Sequence, residues 1–168
     1  MNANWPRFEL VKLDVVSAVP PSVAKRLADP GVPRGAFGYQ PMNPAHPLSG
    51  DETGELICFG SDGLFGRICV RASSGEVVTV PNPERISTYL ANSDLDRFAE
   101  CMRAAIDRLP YYDGDSELDD WEWAAKDLEG MLFAIDPATQ SYPGFWENFV
   151  ADVTTGIYNT EEILGESE

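Results

Sequence analysis

The stretch ICFGSDGLFGRICVRASSGEVVTV, residues 57–80, sets Gly60, Gly63 and Gly66 three apart between two apolar runs. A phosphate-cradling loop would place such glycines after a strand and before a helix, and the Walker form adds a Lys and a Ser or Thr. Here a second run rich in Ile, Cys and Val follows instead, so the glycines are expected to form a hairpin turn. Residues 56–59, 67–71 and 76–80, separated by GSDGLFG and ASSG, predict a meander of three antiparallel strands. Ile68 and Val70 alternate with Arg67 and Arg71, a period of two that puts one face on a core and the other in water. Helices are therefore expected on one side of the sheet only.

Those helices follow in the sequence. In NSDLDRFAECMRAAIDRL, residues 92–109, Leu95, Phe98, Met102, Ile106 and Leu109 fall at spacings of three and four and make one apolar stripe. Ser93 with Asp96 three residues on has the arrangement of a capping box, and Asp94 and Asp96 suit the positive end of the helix. A second helix is predicted from Leu118 to Ile135, with Leu118, Trp121, Ala125, Leu128, Leu132 and Ile135 in register and Glu122 paired to Lys126. Gly130 weakens its middle, and Asp136-Pro137 ends it. A last helix from about Gly144 carries Phe145, Trp146, Phe149, Val150 and Val153 before Gly156.

Upstream of the meander the patterns are weaker. Phe8, Leu10 and Leu13 suit a short strand within residues 8–16, and PPSVAKRLADPG predicts a helix over Ser22 to Ala28. Residues 31–54, GVPRGAFGYQPMNPAHPLSGDETG, show neither periodicity and are expected to form an extended surface loop.

At 168 residues the chain is long enough for a substantial core, and 43% hydrophobic residues with four tryptophans argue for a packed globule. The expected organisation is one domain over residues 1–158 and an acidic tail over 159–168. Cys58, Cys69 and Cys101 are odd in number, lack metal-like spacing and read as buried reduced thiols. The N-terminus lacks a basic region followed by an apolar stretch, and no apolar run approaches the ~20 residues that span a bilayer. A cytoplasmic protein without membrane contact is expected. Twelve Lys and Arg against 28 Asp and Glu give a net charge of -16, which repels phosphate backbones and attracts basic proteins. Nucleic acid is not expected as a partner.

The search for chemistry returns little. His46 is the sole histidine and stands in a PAHP segment with no nucleophile motif beside it. No CxxC pair exists for zinc. The acidic run DGDSELDD, residues 113–120, invites comparison with a calcium loop, but Leu118 and Ala124 stand where that loop wants its glycine and its closing Glu. A pair of glycosidase-like carboxylates cannot be singled out in so acidic a chain. No catalytic, cofactor or metal residue is assigned. The cluster Asp113, Asp115, Glu117, Asp119, Asp120 and Glu122 then has two readings: a solvated interhelical loop whose charges favour the following helix start, or an anionic patch for a cationic protein surface.

The order of features resembles the SUKH superfamily of bacterial immunity proteins, in particular its fourth, actinobacterial-type family. The residues that carry the likeness are Gly31, Val32 and Pro33; Gly60 and Asp62; Gly75 and Val77; Asn92, Ser93, Leu95 and Phe98; and Asp136, Pro137 and Trp146. The resemblance implies an α+β fold with helices packed on an antiparallel sheet, no catalysis and no cofactor. It implies neutralisation of a polymorphic toxin, frequently a nuclease or a nucleic-acid deaminase, by direct binding. A basic toxin is the expected partner, with the 113–122 acids as the candidate surface. The alternative is a scaffold or regulatory interaction module of the same fold without a toxin, and an enzyme using Asp and Glu is a third reading that would need a deep pocket. The Gly60-Ser61-Asp62-Gly63 turn is expected to serve the sheet, so that Asp62 matters to folding before anything else.

Overall fold

The computed structural model describes residues 5–113 and 115–158. The acidic segment 159–168 lies outside them. In chain order the elements are β1 (Leu10–Val11), α1 (Pro21–Ala28), β2 (Val32–Pro33), β3 (Tyr39–Pro47), β4 (Leu56–Asp62), β5 (Gly66–Arg71), β6 (Val77–Val80), β7 (Tyr89–Asn92), α2 (Leu95–Asp107), α3 (Leu118–Ile135), a 3-10 turn (Pro137–Gln140) and α4 (Phe145–Thr154). Strands β3 to β7 form one sheet in sequence order, every neighbouring pair antiparallel, and β1 pairs antiparallel with β2 in a small second sheet. The fold is α+β.

The 57–80 stretch is a hairpin followed by a third strand, as its glycines predict. Gly63 turns the β4–β5 hairpin at φ +65°, a conformation that costs a residue without a Cβ little. Gly60 serves packing instead of turning. It sits at a register shift between β4 and β5, and a Cβ there would lie 2.5 Å from Cε2 of Tyr39. The missing side chain is what lets the Tyr39 ring approach the strand.

The expected loop over residues 31–54 is wrong at its start, where Val32–Pro33 form β2, and in its central part, which is the nine-residue edge strand β3. Three prolines, Pro41, Pro44 and Pro47, hide it from a reading by propensity. Proline cannot donate to a sheet ladder and is tolerated on an edge, where it also blunts further strand addition. The pairing with β4 shifts register between Pro41 and His46.

Both faces of the sheet are apolar, which corrects the expectation of a wet outer face. On one side Ile57, Phe59, Ile68, Val70 and Val77 join the main core with residues of all four helices. On the other, Leu48, Leu56, Cys58, Cys69, Val78 and Val80 form a second buried cluster, flanked by Met42 and Leu90. No helical residue belongs to that second cluster, so the helices do lie on one side. Loops and strand ends close the other. Arg71 leaves the cluster's rim through bonds to the Thr88 hydroxyl (3.1 Å) and to Glu76 (3.7 Å).

The helices hold most of the stripes read from their spacing, with Leu109 falling beyond the end of α2. Leu95, Phe98, Met102 and Ile106 of α2 are buried, as are Ala125, Leu128 and Leu132 of α3 and Phe145, Trp146, Phe149 and Val153 of α4. Leu118 departs from its stripe and is 56% exposed, because it opens α3 beyond the core's edge. Among the described residues no ion pair joins Glu122 to Lys126; Lys126 instead stands over the Trp123 ring, 5.7 Å from its centroid. The aromatic centre is built around Phe98, which meets Tyr39 at 5.4 Å, Phe59 at 5.9 Å and Phe145 at 5.9 Å, edge to face.

Helix α2 is capped one residue later than expected. Asp94, not Ser93, is the N-cap and accepts from the Arg97 N–H at 2.7 Å. Ser93 is recruited by Asp136, a nearly fully buried carboxylate. One oxygen of Asp136 accepts from the Asn92 amide (2.9 Å) and the Ser93 N–H (2.8 Å); the other accepts from the Ser93 hydroxyl (3.0 Å) and the Ala138 N–H (3.1 Å). Asn92 in turn accepts from the Trp146 indole N–H at 2.7 Å. Four elements meet in that network: β7, the entry to α2, the 3-10 turn and α4.

All three cysteines are buried and unpaired by disulfides. Cys58 and Cys69 face one another across β4 and β5. Fully buried thiols are inert to bulky reagents. Native protein is therefore expected to give no fast reaction with Ellman's reagent and three equivalents in denaturant; one or more fast native equivalents would contradict this packing.

Candidate interaction surface

The turn after α2 and the first turns of α3 enclose an open groove of about 680 Å³. Its acidic side chains are Asp113, Asp115, Asp120 and Asp127, and its aromatic ones Tyr111, Tyr112 and Trp123. The helical part follows from spacing: Asp120, Trp123, Ala124 and Asp127 lie at i, i+3, i+4 and i+7, one face of α3 turned away from its buried stripe. The turn is ordered by its own acids. Asp113 accepts from the Asp115 N–H (3.1 Å) and the Ser116 hydroxyl (3.0 Å), and its N–H donates to the Ser116 Oγ (3.0 Å). Asp120 accepts from the Glu117 N–H at 3.0 Å, which closes the N-terminus of α3.

Three of the six acids expected to act together, Asp113, Asp115 and Asp120, line this groove. Glu117, Asp119 and Glu122 are exposed but face outside it. Two residues that reading by acidic runs missed complete the site. Asp127 lies seven residues beyond Asp120, a spacing that a helical projection reveals, and is ion-paired to Arg108. Trp123 is 72% exposed, rare for the largest side chain and unexplained by its neighbours in the core. Asp127 is paired with Arg108, and among the described residues Asp113, Asp115 and Asp120 are the groove's acids without an ion-pair partner.

His46 stands elsewhere, on β3, with Nδ1 at 2.9 Å from the Pro44 carbonyl oxygen. Among the described residues no group of three or more His, Cys, Asp or Glu is placed to hold a metal ion. No helix among them is long and apolar enough to cross a membrane.

Fold and surface define an α+β protein with a five-stranded antiparallel meander, helices on one face and an anionic, aromatic-walled groove at the start of α3. The family model described as SUKH-4 immunity protein matches residues 4–152 of the chain, and the chain belongs to that family. No curated protein and no solved structure gives a significant match. The family assignment indicates a role in toxin immunity, and the family is generally non-catalytic.

Proposed function

We propose that this chain neutralises a basic toxin, of the kind that acts on nucleic acid, by seating its acidic groove on the toxin's positively charged surface. The observation that carries this is the group Asp113, Asp115 and Asp120, without an ion-pair partner among the described residues and beside the exposed Trp123, in which the Asp113 and Asp120 carboxylates are held by the turn's own hydrogen bonds. Carboxylates already ordered lose little freedom on binding. Glu117, Asp119 and Glu122 on the neighbouring surface extend the field, and the net charge of -16 strengthens it. A toxin that handles nucleic acid needs a cationic surface for its substrate, so an acidic partner can cover that surface and compete with the substrate directly. The protein in this reading is a cytoplasmic, non-catalytic binder that needs no cofactor, avoids nucleic acid itself and works as one domain over residues 1–158.

Co-purification with the product of the neighbouring gene tests the reading. A complex is expected at micromolar concentration, together with rescue of cells that express that product; neither would be seen if the proposal were wrong. Within such a complex, Asp115→Lys with Asp119→Lys should slow association roughly tenfold in low salt and lose that effect at high ionic strength. An unchanged rate would move the interface away from α3.

A further inference from the structure

A second polar cavity, about 360 Å³, opens between the β4–β5 hairpin, the β6–β7 end of the sheet and the start of α4, and shares no lining residue with the acidic groove. Asp62 and Asn148 face into it, beside the backbone at Gly144. Asp62, expected to matter to folding first, has a side chain that the hairpin does not hold. Among the described residues its carboxylate accepts no hydrogen bond and meets no cation within ion-pair distance. The nearest cation in sequence, Arg67, is committed to the carbonyls of Phe65 (3.3 Å) and Gly66 (3.0 Å). Burial pushes the Asp62 carboxyl above the usual carboxylate range, and the nearby charge of Asp152 on α4 adds to that push.

A half-buried carboxylate with no partner and a like charge beside it opposes folding. Groups of that kind persist where something outside the fold pairs with them. What flanks it says what that is: Leu64 and Phe65, at the tip of the same hairpin, are 87% and 74% exposed. Two adjacent apolar side chains held out on a tight turn suit a protein surface better than a free ion or a small amine. We propose that this end of the molecule is a second docking surface, in which a lysine or arginine of a protein partner enters the cavity to pair with Asp62 while apolar residues beside it cover Leu64 and Phe65. This surface is independent of the toxin reading of the groove.

The probe is the peptide acetyl-Leu-Arg-Leu amide, titrated by NMR against the same peptide with citrulline in place of arginine. The arginine peptide is expected to bind at least tenfold more tightly, with shifts at Asp62, Gly144 and Asn148. Asp62→Asn and Phe65→Ser should each weaken it tenfold or more while the protein melts no lower than wild type, and Asp62→Asn should melt slightly higher at pH 7. The doubly reversed Asp115→Lys, Asp119→Lys protein should bind the peptide as wild type does, which separates this surface from the acidic groove. Equal binding of the citrulline peptide, full binding by Asp62→Asn, or a lower melting temperature for Asp62→Asn would overturn the proposal.

Discussion

Asp136→Ala is expected to cost about 3–5 kcal/mol of folding stability, the largest loss from any single polar substitution in this chain. The side chain is 3% exposed and satisfies four donors at once. Its removal takes the acceptor from the buried Asn92 amide and from the Ser93 and Ala138 N–H groups. Asn92 then loses the restraint that presents its oxygen to the Trp146 indole. For a protein of this size the loss corresponds to a fall in melting temperature of roughly 10 °C. Urea unfolding at pH 7 measures it directly, and a loss under about 1 kcal/mol would mean that water satisfies the stranded groups.

The same residue sets an acid limit. Burial alone would raise the Asp136 carboxyl, but the hydrogen bonds from Ser93, Asn92 and Ala138 outweigh it and hold the group below the usual carboxylate range. A carboxyl that is lower in the folded state contributes stability above its unfolded value of about 3.9. That contribution is lost as the pH falls through the lower folded value. Asp136→Asn removes the titration, so its stability relative to wild type should improve as the pH falls below about 4. A gap between the two proteins that stays constant from pH 7 to about pH 2.5 would contradict this linkage.

Trp123→Ala is expected to leave stability within about 0.5 kcal/mol, since the ring is mostly in solvent. Its effect on the proposed complex should be large. An exposed aromatic side chain lining a charged groove has the character of an interface hot spot, worth about 2 kcal/mol or more, which is about thirtyfold in affinity. Lys126 already lies over one part of the ring, and a cation from the toxin stacking on the remainder would use the same attraction. Calorimetric titration of the toxin with Trp123→Ala tests this. Affinity within about threefold of wild type would place the contact elsewhere, while a matching loss of stability would assign Trp123 to the fold.

Much of the architecture was legible because it is periodic. Helix α3 occupies Leu118–Ile135 as its spacing predicts, α4 begins where Gly144 precedes an aromatic run, and the meander around 57–80 follows from two apolar runs broken by glycine. Strand β3 was not legible, because three prolines at its edge position carry no local signal of pairing. The second apolar cluster was missed for a related reason. Its members are scattered over several strands and the β3–β4 connection, so no single segment reveals them.

The surface was half legible. The acidic run located the turn before α3, but which acids line one groove depends on helical phase and on how the turn folds back. Asp120 and Asp127 are brought in; Glu117, Asp119 and Glu122 are left outside. The motif residues that carry the family likeness proved largely architectural. Asn92, Ser93, Asp136 and Trp146 are one hydrogen-bonded network, and Gly60 makes room for Tyr39. Asp62 is the exception, since no described residue of the fold pairs with it.

The sequence by itself determined the α+β class, the extents of the longer helices, the hairpin at Gly63 and the strong negative charge. These depend on spacings of two to four residues and on composition, which a chain carries whatever its tertiary structure. Only the tertiary structure decided that Asp136 meets a residue 44 positions away and that Asn92 meets one 54 positions away. It alone left Asp62 without a partner among the described residues, beside an exposed Leu64 and Phe65. Such meetings are set by strand register and helix packing, which join distant segments through many weak contacts at once, and no local pattern records which polar group each segment will deliver to the other.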